Sequence, residues 1–226
     1  MELNADFSKR AVVHGAQTDW VASPMKGVDR RMLDRIGDEV ARATSIVRYA
    51  PGSHFSSHVH TGGEEFLVID GVFSDEHGDF PAGSYIRNPP DSSHTPGSDP
   101  GCTILVKLWQ FDLADRTHVR IDTNKMRAVP AAARPGVLIM PLFHDEREDV
   151  RLEIWEAGAQ IDLDTPGGLE VFVLEGSFVE NGETFQPQSW LRLPCNDRLV
   201  ATAGSQGCKV WIKADHLSET PRAPAT

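Results

Sequence analysis

The feature that most constrains the fold is an internal repeat. The segment EFLVIDGVF around Gly71 returns as EVFVLEGSF around Gly176, 105 positions later. The run SYIRNP that begins at Ser84 returns at the same offset as SWLRLP, beginning at Ser189. Two copies, rather than a long series, indicate a duplicated domain. We therefore expect two similar halves joined by a connection.

Each copy consists of short runs rich in Val, Ile, Phe and Trp, separated by turn-forming residues, and the chain has 19 Gly and 15 Pro. This pattern is typical of antiparallel sandwiches and barrels. It predicts an all-β chain made of two antiparallel β-sandwich or jelly-roll barrels. We expect the N-terminal barrel over residues 1–120, the C-terminal barrel over 121–216 and a flexible tail over 217–226.

Two segments lack a clear strand pattern. The segment from Arg30 to Ala43 could form a helix, but Gly37 interrupts it, so a hairpin of two strands is favoured. Residues 117–134 lack periodicity and contain Pro130 followed by three alanines, which is typical of a connection between copies.

Charge and cysteine content exclude several classes of function. The net charge is −11, from 22 basic and 33 acidic residues, and no Lys/Arg cluster could follow a phosphate backbone, so direct nucleic-acid binding is not expected. No apolar stretch approaches the roughly 20 residues that span a bilayer, so we expect a cytoplasmic protein without a membrane partner. Cys102, Cys195 and Cys208 show no C-x-x-C spacing and predict neither a disulfide framework nor a thiolate metal site.

Most of the chemistry lies in PGSHFSSHVHTGGEEFLVIDG, residues 51–71. His58 and His60 are two positions apart, so on a strand they face the same side, about 6.6 Å from each other. Imidazole nitrogens from such positions can converge on an ion about 2.0 to 2.1 Å from each. Gly62 and Gly63 then provide a turn, after which an acidic residue can stand opposite the histidines.

Two acidic residues follow this turn, and only one of them can face the histidines because side chains alternate along a strand. Glu64 shares the parity of Phe66 and Val68, and its spacing to Gly71 also selects it. We therefore predict that Glu64 is the ligand. Glu65 is predicted to face solvent or a neighbouring layer.

A second segment, GSYIRNPPDSSHTPG from Gly83, contains prolines that favour a tight reversal, followed by His94. Together the two segments resemble the two motifs of the cupin superfamily, in which His94 matches the third histidine. The chain has Asp91 and Ser98 where the second motif usually has a Gly and an Asn. The resemblance implies a double cupin whose N-terminal half holds one ion through His58, His60, Glu64 and His94.

A closer resemblance covers Trp20 to about Asp112. This stretch is similar to the cupin domain of ChrR-type anti-sigma factors and their free-standing relatives. The resemblance implies zinc bound by three histidines and a glutamate, at the same four positions, and a role in the response to singlet oxygen and organic peroxides. In those anti-sigma factors a separate N-terminal zinc-bearing domain binds the sigma factor. No His/Cys cluster precedes the cupin here, so a sigma factor is not an expected partner, whereas a homodimer is, because cupins are often dimers.

The ligand set leaves the metal and the function open. Zinc is the first expectation, with iron(II), nickel and manganese as alternatives. Phe66, Val68 and Tyr85 are predicted to line a pocket beside the ion. One hypothesis is a sensor or regulatory small-molecule-binding protein of the oxidative stress response. The alternative is a metal-dependent dioxygenase that acts on a chelating substrate such as a β-diketone or an enediol.

The second copy predicts a degenerate cupin without a metal. Alignment through Gly158 and Gly176 places Asp164, Pro166 and Leu169 at the positions of the first three ligands, and Leu199 at the position of His94. Asp162 and Asp164 alone would make a poor cation site.

The other histidines are not predicted to be ligands. His54 is about 13 Å along the strand from His58, too far to share its ion, and is expected at the rim. His77 is expected in a polar turn. The remaining four, which are His14, His118, His144 and His216, have no acidic or His partner at useful spacing in the sequence and carry no predicted role.

Overall fold

The computed structural model describes residues 1–38, 40–219 and 224. Within this part the chain is almost entirely β-structure, and its only helical segments are two 3-10 turns, Gly15–Gln17 and Thr123–Lys125. None of the described helical segments is long and apolar enough to cross a membrane. The predicted all-β fold is confirmed.

The first fourteen strands run from the N-terminus to Asp122: β1 (Glu2–Leu3), β2 (Ala11–His14), β3 (Val21–Ala22), β4 (Val28–Gly37), β5 (Ala41–Tyr49), β6 (Ser53–His54), β7 (His58–His60), β8 (Glu64–Asp75), β9 (Gly78–Pro81), β10 (Ser84–Asn88), β11 (Ser92–His94), β12 (Gly97–Ser98), β13 (Cys102–Leu108) and β14 (Val119–Asp122). The remaining eight are β15 (Val129–Pro130), β16 (Val137–His144), β17 (Asp149–Trp155), β18 (Gln160–Thr165), β19 (Leu169–Glu180), β20 (Glu183–Phe185), β21 (Ser189–Leu193) and β22 (Asp197–Ala214).

The N-terminal unit is built mainly from Met1–Ala5 and Asp19–Lys125. Its main sheet is antiparallel, in the order β1-β4-β5-β13-β8-β10-β14. The predicted hairpin is confirmed, since β4 and β5 pair from Val28 opposite Tyr49 to Gly37 opposite Ala41. An apolar core lies on one face of this sheet and includes Phe66, Val68, Phe73, Ile86, Ile104 and Val106.

The C-terminal unit is built mainly from Asp6–Thr18 and residues 126–219. Its sheet has the order β15-β16-β17-β22-β19-β21-β2, so each principal strand has a counterpart at the same place in the first unit. The two copies are therefore two examples of one antiparallel architecture, as the repeat predicts.

The two units differ from the predicted segments 1–120 and 121–216. Asp6–Thr18 belongs to the C-terminal unit because β2 adds to its sheet edge, with Ala11 opposite Arg192 and His14 opposite Ser189. This edge strand lies outside the repeated sequence, so the repeat could not reveal it. Most of the tail lies outside the described residues, but Leu217 is buried and its amide donates to Gly167.

The segment 117–134 is more ordered than predicted. Residues 119–122 form β14, which pairs with β10, and residues 129–130 form β15, which pairs with β16. The alternation of the adjoining strands does not extend into these short edge strands, which explains why periodicity did not show them.

The repeated glycines mark a close approach of two strands. Gly71 and Gly176 have φ values of 72° and 70°, a region that favours glycine. A Cβ at Gly71 would lie 2.0 Å from the carbonyl oxygen of Gly101, and one at Gly176 would lie 2.1 Å from that of Gly207. Both copies therefore need glycine where the long strand bends past its neighbour.

Candidate metal centre

The three histidines of the motif meet across a short two-stranded sheet. β7 pairs with β11, with His58 opposite His94 and His60 opposite Ser92. Because opposite residues share a face, the side chains of His58, His60 and His94 lie on one side. Their ring centroids are 4.6 to 5.0 Å apart. One nitrogen from each ring lies within 4.8 Å of those of the others.

The turn after β7 places the carboxylate of Glu64 beside the histidines. Gly63 has φ 76°, and a Cβ at Gly62 would lie 2.0 Å from the Trp109 ring, so both positions need glycine. β8 then begins at Glu64, whose Oε2 is 3.4 Å from His60 Nε2 and 3.6 Å from His94 Nε2. Asn88 Nδ2 donates to the same oxygen at 3.2 Å. The structure thus brings all four predicted ligands together.

These donor atoms fit a divalent ion. His60 Nε2 is buried and makes no hydrogen bond within the described residues. A buried nitrogen of this kind normally has a partner, so it is available to bind a metal ion between the other ligands. Three nitrogens bound to one tetrahedral ion at about 2.1 Å lie about 3.4 Å apart, so nitrogens that are now within 4.8 Å of one another would move closer by up to about 1.4 Å when they bind the ion. An imidazole and carboxylate set suits zinc, iron(II), nickel or manganese.

Asp75, which the spacing argument missed, holds one of the rings. Its Oδ2 lies 3.4 Å from His94 Nδ1, while the amide of His77 donates to its Oδ1 at 2.7 Å. A carboxylate on the far nitrogen of a histidine orients the ring and leaves Nε2 for a metal. Asp75 ends β8 eleven residues after Glu64, so only the curvature of that strand brings it under β11.

Burial and charge act in opposite directions on the two buried rings. Burial is the main cause that lowers the pKa of His60, which favours the neutral form that binds metal. Burial also lowers the pKa of His94, but the contact with Asp75 and the charge of Glu64 outweigh it, so this pKa is raised. Of these two rings, His94 more readily holds a second proton, which a bound metal ion would have to displace.

The structure corrects the predicted direction of Tyr85 and decides between the two alternatives for Glu65. Tyr85 stands opposite Leu67, on the face away from Glu64, and its hydroxyl donates to Glu65 at 2.6 Å. It does not line a pocket at the ligands. Glu65 is only 1% exposed, so of the two predicted alternatives it faces a neighbouring layer and not solvent. Because β8 is covered on both faces, its polar residues do not indicate which face of the strand is exposed to solvent.

A cavity of about 200 Å³ adjoins the ligands inside the N-terminal barrel, and His58 and Glu64 contribute to its wall. Phe66 and Val68 share the inward face with Glu64 but pack within the apolar core, not at the cavity. The wall combines apolar side chains, among them Met25, with polar ones such as Arg30, Ser45 and Tyr49. Motif spacing could not show these residues because they lie on β4, β5 and the loop before them.

The strand register refines the alignment of the second copy. Leu163 stands opposite Leu199, as His58 stands opposite His94. Each leucine lies 105 positions after the corresponding histidine. The same offset makes Thr165 the counterpart of His60 and Leu169 the counterpart of Glu64. Asp164 and Pro166 are therefore one position out of register, an error introduced by aligning through Gly158. The ligand positions of the second barrel hold Leu, Thr, Leu and Leu.

The aspartates of the second copy are engaged elsewhere. Arg198 Nη2 donates to Asp162 at 2.7 Å, and its Nε lies 3.7 Å from Asp164. Both carboxylates are exposed, so this is a surface ion pair rather than a converging cation site.

The interior of the second barrel is filled by charged groups where the first has its cavity. Glu153 and Arg151 occupy the positions of Val47 and Ser45, as their pairing with Val210 and Ile212 on β22 shows. Arg134 forms a two-pronged ion pair with Glu153, with distances of 2.7 and 2.6 Å. Trp155 donates to the same carboxylate at 2.7 Å.

The remaining histidines are not part of the converging group. His54 is exposed and contacts Asp99, and His77 lies in an exposed turn, as expected. Three others do have acidic partners, which sequence spacing did not reveal: His14 with Glu183 at 3.0 Å, His144 with Asp149 at 3.5 Å and His216 with Glu170 at 2.8 Å. In two of these pairs the partner is more than 40 residues away in sequence.

Solved structures share this fold. A cupin 2 conserved barrel domain protein from Leptotrichia buccalis is 10% identical, with a TM-score of 0.60, and the match covers 94% of this chain and 99% of that one. A candidate dioxygenase from Nostoc punctiforme is 15% identical, with a TM-score of 0.74 and coverage of 100% and 86%. Salicylate 1,2-dioxygenase from Pseudoaminobacter salicylatoxidans is 12% identical, with a TM-score of 0.54 and coverage of 76% and 68%. At these identities the likeness concerns the fold, and the double cupin architecture is confirmed.

Comparison by sequence assigns the N-terminal half. No curated protein matches the chain. Residues 8–112 match the family described as the ChrR Cupin-like domain. This segment contains all four candidate ligands as well as the cavity residues of β4 and β5. The chain thus has a cupin-type fold, and its residues 8–112, a little under half of its length, are similar to the ChrR cupin-like domain.

Proposed function

We propose that this protein captures a small oxygenated molecule at one divalent ion and acts as a sensor or regulatory protein in the oxidative stress response. The ion is held by His58, His60, Glu64 and His94. The observation that carries the proposal is the convergence of three imidazoles and a carboxylate beside an internal cavity. The link to oxidative stress is supported by the resemblance to ChrR-type cupins.

The arrangement suits ligand capture better than a purely structural role. Four protein donors leave one or two positions open on a five- or six-coordinate ion, whereas structural zinc sites are closed. A bound ion would supply Lewis-acid character to an oxygen atom that reaches it from the cavity. The lowered pKa of His60, caused mainly by burial, favours the neutral imidazole that binds metal.

Dioxygenase activity is a second candidate. It is favoured by the cavity beside the ligands and by the fold shared with salicylate 1,2-dioxygenase and with the Nostoc protein. In this case the cavity would orient a chelating substrate such as a β-diketone or an enediol at the metal and exclude bulk water. The wall of the cavity, being largely apolar, would serve both purposes.

Metal analysis and oxygen consumption separate the two candidates. The protein is purified from its native host without added metal, and its metal is measured by plasma mass spectrometry. Tightly bound zinc without oxygen uptake in the presence of diketones supports the sensor. Iron together with diketone-dependent oxygen uptake supports the dioxygenase. Absence of any tightly bound divalent metal after reloading would contradict both.

We expect one tightly bound ion per chain. The first barrel has four converging donors, whereas Leu163, Leu169 and Leu199 occupy the corresponding positions of the second. Titration of the metal-free protein with zinc, followed by calorimetry, should show a single tight site. A second tight equivalent would contradict the assignment of the C-terminal copy.

A further inference from the structure

We propose that the ligand of the N-terminal cavity is a small carboxylic acid whose carboxylate is bound by Arg30. This inference rests on the proposed function for the other end of the ligand, which would reach the metal centre. The arginine site itself is argued from the chain alone, without the ion.

The strand register directs Arg30 into the barrel. On β4, Val28 stands opposite Tyr49 and Arg30 stands opposite Val47, and both partners line the cavity. Opposite residues in an antiparallel pair share a face, so Arg30 points to the same interior. Its neighbour Arg31 points the other way, and its guanidinium lies over the Trp20 ring, 4.2 Å from the centroid.

Arg30 has no hydrogen-bond or ion-pair partner among the residues that the structure describes. Its Nε is buried and makes no hydrogen bond within the described residues. The nearest acidic residues in sequence are engaged, because Asp29 binds Arg48 at 2.7 Å and Asp34 lies 3.9 Å from Arg42. Arg35, the other arginine of the cavity wall, donates to the carbonyl oxygens of Gly37 and Asp38.

A carboxylate is the natural complement of this group. A guanidinium offers two parallel donors that match the two oxygens of a carboxylate, and a buried donor gains most when it is paired. The hydroxyl groups of Ser45 and Tyr49 also line the cavity. Burial, followed by the charge of Glu64, raises the pKa of Tyr49, so its hydroxyl stays protonated and can donate to an anion.

Size and charge limit the ligand further. A cavity of about 200 Å³ is smaller than the roughly 300–1,000 Å³ of sites for drug-sized ligands, so the acid is small. Glu64 stands in the same wall and disfavours a multiply charged anion until a metal neutralises it. A monocarboxylate with a second oxygen near its carboxyl group fits both conditions.

The second copy supports a specific role for this arginine. Glu153 occupies the position of Val47, and Ile139 stands opposite Glu153 as Arg30 stands opposite Val47. Ile139 is therefore the counterpart of Arg30, so the barrel without the histidines has an apolar residue at this position. An inward arginine at this position is therefore found in the barrel that carries the ligand set and not in the second barrel, whose interior arginines, Arg134 and Arg151, come from other positions and pair with Glu153.

Binding of acids and their amides tests the proposal. Zinc-loaded protein is titrated by calorimetry with acetate, lactate and acetoacetate, and with acetamide, lactamide and acetoacetamide as neutral counterparts. We expect the wild type to bind at least one acid about 10-fold or more tightly than its amide, because a hydrogen-bonded charge contributes roughly that factor. Arg30→Gln should lose this preference, and Arg30→Lys should retain part of it.

Three controls keep the interpretation clear. Arg48→Gln removes an arginine that binds Asp29 and stacks on Trp20, and it should keep the preference of the wild type. Zinc content and melting temperature are measured for every variant, and the titrations are repeated on metal-free protein. A wild type that prefers none of the acids, or a folded Arg30→Gln that keeps the preference, overturns the carboxylate site. Failure to bind zinc would instead overturn the proposed function.

Discussion

Glu64→Gln is expected to bind zinc about 100-fold more weakly than the wild-type protein, or worse. Loss of a group that only supports a ligand typically costs 10–100-fold in affinity, and Glu64 is predicted to be a ligand itself. The variant keeps the size of the side chain but removes the charge that lies 3.4 Å from His60 and 3.6 Å from His94. Competition against a chromogenic chelator would measure the change in affinity.

Glu65→Gln is the matched control because it alters the next residue on the opposite face of β8. It should keep the zinc affinity of the wild type. The variant weakens the bond from Tyr85 and the charge contact with Arg87, so we expect a loss of about 1–3 kcal/mol in the free energy of unfolding. Equal losses of zinc affinity in the two variants would mean that the strand register at the site is wrong.

The histidine part of the site could be predicted because strand geometry is simple. Residues two apart share a face, so His58 and His60 had to project together, and the spacing to Gly71 gave the parity of Glu64. The internal repeat likewise revealed the duplicated architecture, since its offset of 105 matches the strand register from His58 to His94. These are local or periodic features, which a sequence records directly.

The cavity could not be predicted in the same way. Arg30 and Tyr49 line the same cavity as His58 and Glu64 only because β4, β5, β13 and β8 are neighbours in the sheet, although they are distant in sequence. Tyr85 was assigned to the wrong face because both faces of the central strands are buried. In β8 the five residues Glu64 to Val68 are all buried, so the usual alternation of wet and dry positions is absent.

Buried charged residues on the outer face of these strands explain why polar and apolar residues do not alternate between exposed and buried positions. Glu65, Arg87 and Lys107 recur in the second copy as Glu170, Arg192 and Lys213, and all six are at most 1% exposed. An aromatic ring covers the arginine in each unit, Phe111 for Arg87 and Phe7 for Arg192. A polar residue in this sequence is therefore weak evidence of exposure, and pairing decides its place.

The inner charge cluster of the second barrel provides the second large effect. Replacing Glu153 with alanine is expected to lower the free energy of unfolding of the C-terminal unit by about 3–5 kcal/mol, the usual cost of removing one partner from a buried ion pair. Glu153 is fully buried and binds Arg134, Arg151 and Trp155. The change would leave two arginine side chains without their shared carboxylate.

The size of this effect should depend on pH in a defined direction. Burial raises the pKa of Glu153, but its bonds with Arg134 and the charge of Arg151 lower it more, so the folded pKa is below the ordinary value of 4.5. The carboxylate therefore stabilises the fold fully above that value, and its contribution disappears as pH falls through the folded pKa. The difference between wild type and Glu153→Ala should be largest near pH 7 and shrink as acid protonates Glu153.

Urea unfolding at several pH values measures this difference, with Glu156→Ala as the control because Glu156 is exposed at the end of the same hairpin. The control should stay within about 0.5 kcal/mol of the wild type. Both variants should keep one zinc per chain, because the ligands lie in the N-terminal unit. If Glu153→Ala were as stable as the control at pH 7, the buried cluster would not be what fills and stabilises the second barrel.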